Sequence, residues 1–304
     1  MRMERRVFLL SVTLAAATAT AAMAQTVTPA AGPAKSAAAS IPDFSGIWRH
    51  GSLPWFEPPE SGPAPVTNRS RRNGVSNYDQ LVGDYTNPIL KPWAAEVVKK
   101  FGEISLAGIT FPSPSNQCWP EPVPYIFKHG AMQMLQQPDK ITILYNEDHE
   151  IRWVRLNAPH STTPSWHGDS VAHYEGDTLV IDTVGVKTDR PFAMIDLFGT
   201  PYTKALHVVE RYTLLDYEAA KGALERGDKE LMRNQGPLNL NYTGKYLQIH
   251  LTVEDEGAFT TPWTTTITYA RDPAEWREVV CAENRYEYYN KKESEVPRAD
   301  KPDF

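Results

Sequence analysis

Ser165-Trp166-His167-Gly168-Asp169-Ser170-Val171-Ala172-His173-Tyr174-Glu175-Gly176-Asp177-Thr178-Leu179-Val180-Ile181-Asp182-Thr183 is the stretch on which the fold turns. Strand-forming residues run up to Glu175-Gly176-Asp177 and away from it, the mark of two strands folded back through a tight turn. With Gly176-Asp177 as a two-residue turn, Glu175 pairs with Thr178, His173 with Val180, and Val171 with Asp182. Asp169, His173 and Asp182 then share one face of the hairpin. A one-residue bulge at the glycine would move part of this set to the other face.

Working outward, residues 132–136, 141–145 and 149–156 are separated by the turns Pro138-Asp139-Lys140 and Asn146-Glu147-Asp148 and read as a three-stranded meander. Further strands are expected at 205–215, 245–254, 263–270 and 275–282. The 245–254 segment alternates cleanly, with Leu247, Ile249, Leu251 and Val253 on one face. A sheet of about nine antiparallel strands must bury one face, and at that length it closes on itself or folds into a sandwich. The expected fold is therefore mainly β, an antiparallel meander closing into a barrel-like domain with a ligand-sized mouth. No GxGxxG follows a strand and strands do not alternate regularly with helices, which excludes a dinucleotide-binding α/β domain.

Residues 1–24 combine a basic start (Arg2, Arg5, Arg6), an apolar run and the ending Ala22-Met23-Ala24, the pattern of a secretory signal peptide cleaved before Gln25. Arg5-Arg6-Val7-Phe8-Leu9 resembles a twin-arginine signal, which exports proteins already folded; an ordinary secretory signal holding two arginines is the alternative. Either route makes the protein periplasmic. Residues 25–40, rich in Ala, Pro, Ser and Thr, read as a flexible linker. A single β-rich domain then spans 41–290: a proline-rich, irregular part over 41–130, the strands over 131–290, and a helical insertion at 217–241, with a mobile charged tail at 291–304. Within the irregular part, Trp93, Val97, Val98 and Phe101 at helical spacing behind Pro92 predict a short helix over 91–101.

The net charge of -6 gives no basic footprint, so nucleic acid and anionic lipid are not expected partners. No segment after the signal approaches ~18 uninterrupted apolar residues, so no membrane contact is expected after cleavage. A small-molecule ligand or substrate is the partner that fits. Cys118 and Cys281 are the 2 cysteines. A bridge between them would close a loop of roughly 160 residues and contribute up to ~5 kcal/mol; two separate buried thiols are the equal alternative.

Histidines 149, 160, 167, 173 and 207 crowd one part of a chain that holds 8. An imidazole beside a carboxylate has its tautomer fixed and becomes a competent acid or base. His173 and His207 are accordingly the candidate catalytic pair, with Asp169 and Asp182 orienting them. His207 and Arg211 fall on one face of their strand and Glu210 on the other, so Arg211 is placed to hold a negative charge; a cross-strand ion pair is the rival role. His149, His167, Trp166 and Tyr174 complete the candidate substrate-binding set. Metal binding needs three or four ligands in a fixed geometry, and with no HxH or HExxH neither a metal nor another cofactor is expected. Gly168-Asp169-Ser170 does not reproduce the G-x-S-x-G elbow of serine hydrolases.

Several of these segments carry a resemblance. Pro42-Asp43-Phe44-Ser45-Gly46-Ile47-Trp48, Cys118-Trp119-Pro120, the stretch from Gln136 to Arg152, the block from Trp166 to Thr183, Ala205 to Tyr212 and Cys281-Ala282-Glu283-Asn284 resemble a bacterial family of exported proteins that mostly carries no assigned function. Gly46-Ile47-Trp48 also resembles the G-x-W start of lipocalin-like proteins, which implies a lipocalin- or calycin-like barrel. The resemblance implies an exported protein and supplies no reaction. Tyr174 departs from it, standing where the family usually has tryptophan.

The residues point to a periplasmic enzyme using His/Asp acid–base chemistry, a lyase, isomerase or hydrolase, on a small aromatic or sugar-like molecule. A non-catalytic binding barrel for an apolar ligand is the alternative, and it requires an apolar hollow with the histidines scattered outward.

Overall fold

The structure is a computed structural model that describes residues 41–50, 56–146, 148, 150–190, 192–230, 242–272 and 292–293. Residues 1–40, where the signal peptide and linker are expected, and His149, Cys281 and the strand expected at 275–282 lie outside the described residues.

In chain order the elements are β1 (Gly46–Arg49), the short pair β2 (Arg71–Arg72) and β3 (Val75–Ser76), helix α1 (Pro92–Leu106), β4 (Ile109–Thr110) and a 3-10 turn at Tyr125–Lys128. Then follow β5 (Ala131–Gln136), β6 (Lys140–Tyr145), β7 (Ile151–Leu156), β8 (Asp169–Glu175), β9 (Thr178–Val184) and β10 (His207–Leu215). Helix α2 (Tyr217–Glu230), β11 (Tyr246–Glu254), β12 (Trp263–Arg271) and β13 (Lys292–Glu293) complete the series.

The hairpin β8–β9 forms in the register its sequence dictates: Glu175 opposite Thr178, His173 opposite Val180, Val171 opposite Asp182. Gly176, at φ 62°, supplies the left-handed turn residue. The larger sheet closes as a barrel in the order β1-β12-β11-β10-β9-β8-β7-β6-β5, with β1 hydrogen-bonded to both β12 and β5.

One pairing departs from the all-antiparallel expectation. Strand direction cannot alternate around a ring with an odd number of members, so nine strands can close only if a neighbouring pair runs parallel. That pair is β7–β8, where Val154 faces Ser170 and Leu156 faces Ala172. Parallel neighbours need a return connection of about a dozen residues, and residues 157–168 are just long enough.

The barrel is filled. Trp48, Met132, Met134, Tyr145, Tyr212 and Tyr269 are among its fully buried side chains, and Leu247, Ile249, Leu251 and Val253 bury the face of β11 that alternation assigned to them. Amid this packing lies an ion pair. The Arg152 guanidinium donates to both carboxylate oxygens of Glu210, Nη1 to Oε2 at 2.9 Å and Nη2 to Oε1 at 2.5 Å. Its Nε donates to Ser170 Oγ at 3.0 Å and its Nη2 also to Thr183 Oγ1 at 2.7 Å, while the Tyr212 hydroxyl donates to Glu210 Oε2 at 2.7 Å. The charges of Arg152 and Glu210 are thus matched by a bidentate partner and by hydroxyls, the condition under which buried charge is tolerated.

Helix α1 begins at Pro92 as expected but runs further, and it buries Ala94, Val98, Phe101, Gly102 and Ser105. Trp93 and Val97, counted as part of the apolar stripe, lie on its exposed side, where the Trp93 indole donates to Gly257 O at 2.8 Å. The helical insertion is described as far as Glu230. Lys292–Glu293, in the segment expected to be a mobile tail, pairs in parallel with β4.

Removing one member of the buried pair strands the other. Arg152→Met should lower the free energy of unfolding by about 3–5 kcal/mol, whereas Arg152→Met combined with Glu210→Leu should recover much of that loss. Urea denaturation of both variants checks this, and additive losses would contradict it.

Candidate functional site

Strands β5 and β7 start at the same end of the barrel because β6 runs antiparallel between them. Strand β8 starts there too, because it is parallel to β7. The residues just ahead of these three strands are therefore brought to one rim: His129 before β5, Glu150 before β7 and His167 before β8. Glu121 joins them from the proline-rich segment, in which Cys118 is disulfide-bonded.

At this rim Glu121 and His129 are fully enclosed, and Glu150 nearly so. Glu121 Oε2 lies 3.0 Å from His129 Nε2, and its Oε1 lies 3.0 Å from Lys128 Nζ and 2.8 Å from the Ser115 hydroxyl that donates to it. The Glu121 amide donates to both oxygens of Glu150, at 3.0 and 3.2 Å. Burial alone would raise the Glu121 carboxyl, but Lys128 and His129 outweigh it and hold the group below its ordinary range. Glu150 goes the other way, pushed up to about 8 by burial and by the charge on Glu121.

His167 is fixed by the same peptide. Its Nδ1 lies 2.7 Å from Glu121 O and 3.7 Å from Glu150 Oε2. A carbonyl oxygen only accepts, so Nδ1 carries the proton and the lone pair of the neutral ring is on Nε2. Burial lowers the pKa of this imidazole, keeping it neutral near pH 7.

His167 also lines a cleft of about 560 Å³ on the outer side of β7 and β8, together with Lys140, Ile151, Trp153, Arg155 and Asp169. Trp153 is 71% exposed, an indole left bare at the cleft wall. Gly168, between His167 and Asp169, has φ 86°, and a Cβ there would meet Thr183 Cγ2 at 2.7 Å and Val186 Cγ2 at 2.8 Å. Only glycine lets the chain turn so tightly against β9 and send its two neighbours to different parts of the cleft.

From Asp169 a chain of charges crosses the outer face of the barrel. Arg155 Nη2 donates to both Asp169 oxygens, at 2.8 and 2.9 Å. His160 lies with Nδ1 2.9 Å from Asp169 Oδ2 and Nε2 3.0 Å from Asp182 Oδ1, and His207 Nε2 lies 3.1 Å from the same Asp182 oxygen. The Ser161 amide donates to Asp169 Oδ2 at 2.8 Å. Partial burial would raise the Asp169 carboxyl, but the Ser161 amide, His160 and Arg155 outweigh it and hold it low. The return segment 157–168 is thereby tied down at His160, and again at Ser165, whose amide donates to Gly185 O at 3.0 Å.

Three of the four candidate catalytic residues, Asp169, Asp182 and His207, thus belong to one cluster, with His160 as the link. They face outward, not into the barrel: the inward positions of these strands are Ser170, Ala172, Ile181, Thr183, Val208 and Glu210, all buried. His173 does not reach Asp182. It lies 2.9 Å from Glu175 Oε1, and Arg211 forms an ion pair with the same carboxylate, the cross-strand role that rivalled substrate binding. Tyr174 accepts from Gln136 Nε2 at 3.0 Å, and Trp166 lies beneath the Arg190 guanidinium, 4.6 Å from its ring centre. Glu121, Lys128, His129 and Glu150 were not singled out by the sequence, since they lie outside regular strands, where alternation assigns no face. The stretch from Cys118 to Gly130, dense in proline and carrying Glu121, Lys128 and His129, was the available signal.

No family model, curated protein or solved structure matches the chain.

His160→Ala should free the return segment, raising amide hydrogen exchange across 157–168 by at least about tenfold and leaving β5–β6 protected. Because the Asp169 pKa is lowered on folding, its contribution is present above about pH 4 and is lost as pH falls through the lowered value. Protection of this segment, corrected for intrinsic rates, should therefore fade first on acidification. Unchanged protection in the variant would refute the anchoring role.

Proposed function

We propose that this chain is an exported, periplasmic enzyme that performs acid–base chemistry on a small molecule held in the cleft over β7 and β8, with His167 as the base. The observation that carries this reading is the fixed tautomer. Nδ1 is tied to the Glu121 carbonyl, and the neutral ring presents its Nε2 lone pair from a residue that lines the cleft. A positioned imidazole of this kind contributes about 10²–10⁴-fold to a proton-transfer step.

The rest of the cleft defines what it accepts. Lys140 and Arg155 favour a negative charge on the substrate or one developing during reaction, and Trp153 and Ile151 offer an apolar wall to an aromatic or sugar-like ring. Asp169, its carboxylate held ionised by Arg155 and His160, serves as an acceptor for a substrate hydroxyl. A proton abstraction leading to elimination or isomerisation fits this set better than nucleophilic hydrolysis, because the cleft serines Ser165 and Ser170 are engaged by Gly168 O and by Arg152 and Thr183. The large side chains filling the barrel also weaken the case for carriage of an apolar ligand inside it.

Ligands found by thermal shift against a panel of small carboxylates, phenols and sugar acids should then be tested for turnover. His167→Gln should lower turnover by at least 100-fold while the ligand-induced rise in Tm persists. A ligand that binds wild type and variant alike and is converted by neither would make the cleft a binding site and refute the enzyme reading.

A further inference from the structure

Behind His167, and independent of any reaction in the cleft, the geometry points to a second site: we infer that Glu121, His129 and Glu150 bind one divalent first-row transition-metal cation, through His129 Nε2 and one oxygen of each carboxylate.

The three ligand atoms lie within 4.8 Å of one another. Donors held about 2.1 Å from a common ion lie roughly 3–4 Å apart, so small side-chain rotations bring all three to one centre. The pair Glu121 Oε2 and His129 Nε2 is already 3.0 Å apart, the separation of two adjacent ligands on one ion. Glu121 is 1% exposed, and on this side its oxygen faces the His129 imidazole. A buried carboxylate oxygen costs free energy unless a cation meets it, and this geometry admits two, the protonated imidazole or a metal ion in place of its proton.

The opposite side of the same carboxylate is built like the outer shell of a metal centre. Glu121 Oε1 is held by Lys128 Nζ at 3.0 Å and by the Ser115 hydroxyl at 2.8 Å, and Ser115 Oγ lies 3.0 Å from the Tyr125 hydroxyl. Such contacts fix a ligating carboxylate and turn its free oxygen toward the ion. The Lys128 ammonium supplies one positive charge against two carboxylates.

One imidazole nitrogen and two carboxylate oxygens make a borderline donor set. It suits Zn²⁺, Mn²⁺ or Fe²⁺ and disfavours Cu⁺, which seeks thiolate or thioether. Export after folding, the route that Arg5-Arg6 resembles, would let the ion be loaded before the protein leaves the cytoplasm. The ligands are spread over residues 121, 129 and 150, so no short metal motif marks them.

The test needs no substrate, so it stands or falls apart from the enzyme reading. The full chain is produced through its own export signal, purified without chelator, and its metal content measured by elemental analysis. About one equivalent of Zn, Mn or Fe per chain is expected. Glu150→Gln and His129→Gln should each retain less than a tenth of it, and Lys245→Ala, which breaks an exposed ion pair with Asp216, should retain it all. In wild type, chelator treatment should lower Tm, and adding back one of Zn²⁺, Mn²⁺ or Fe²⁺ should restore it. This second measurement decides the matter even where a variant does not fold. Metal-free protein whose Tm none of the three ions raises would overturn the site, as would full retention of metal in both ligand variants.

Discussion

A ring of nine strands cannot alternate in direction all the way round, and the rest of this molecule follows from where that frustration is discharged. It falls between β7 and β8. Had these two run antiparallel, β8 would start at the far end of the barrel and His167 would be a barrel length away from His129 and Glu150. Parallel pairing puts all three on one rim. It also obliges residues 157–168 to run back along the outside, and so lays His160 across Asp169 and Asp182. The cleft, the rim cluster and the outer charge chain are three results of one pairing.

The interior explains how such a rim is kept in place. A barrel packed only with aliphatic side chains could slip in register, whereas Arg152 bonds at once to Glu210 of β10, Ser170 of β8 and Thr183 of β9. Four strands are pinned by one guanidinium just inside the rim. Sites held on rigid strands in this way keep their geometry better than sites on free loops.

The hairpin register was legible because a two-residue turn with glycine leaves little freedom, and so was the buried face of β11, where four aliphatic residues alternate with polar ones. The polarity of the β8–β9 hairpin also states which of its faces looks inward. The inner face carries Ser170, Ala172, Leu179, Ile181 and Thr183 and no charged residue, whereas the outer one carries Asp169, His173, Glu175 and Asp182. The expectation of an acid–base set inside the barrel ran against that pattern, and the two inner hydroxyls are there to meet Arg152. The rim cluster was hidden for a different reason. Glu121 sits in an irregular proline-rich segment, and nothing local states that it will meet Glu150 and His167; that meeting depends on the parallel pair, which no single strand announces.

Closure of the ring also leaves a seam. Strand β1 is the shortest stave of the barrel, and it meets β12 over only two residue pairs, Trp48 with Arg271 and Arg49 with Ala270. The joint is reinforced from the side: the Arg271 guanidinium lies over the Trp48 indole at 4.8 Å and donates to Ser45 O at 2.9 Å, and Arg49 pairs with Asp272. A complete hoop offers no unpaired strand to a neighbouring molecule, which guards a β protein against edge-to-edge stacking. That guard is only as good as its clasp, and the clasp is made of an indole and two arginines.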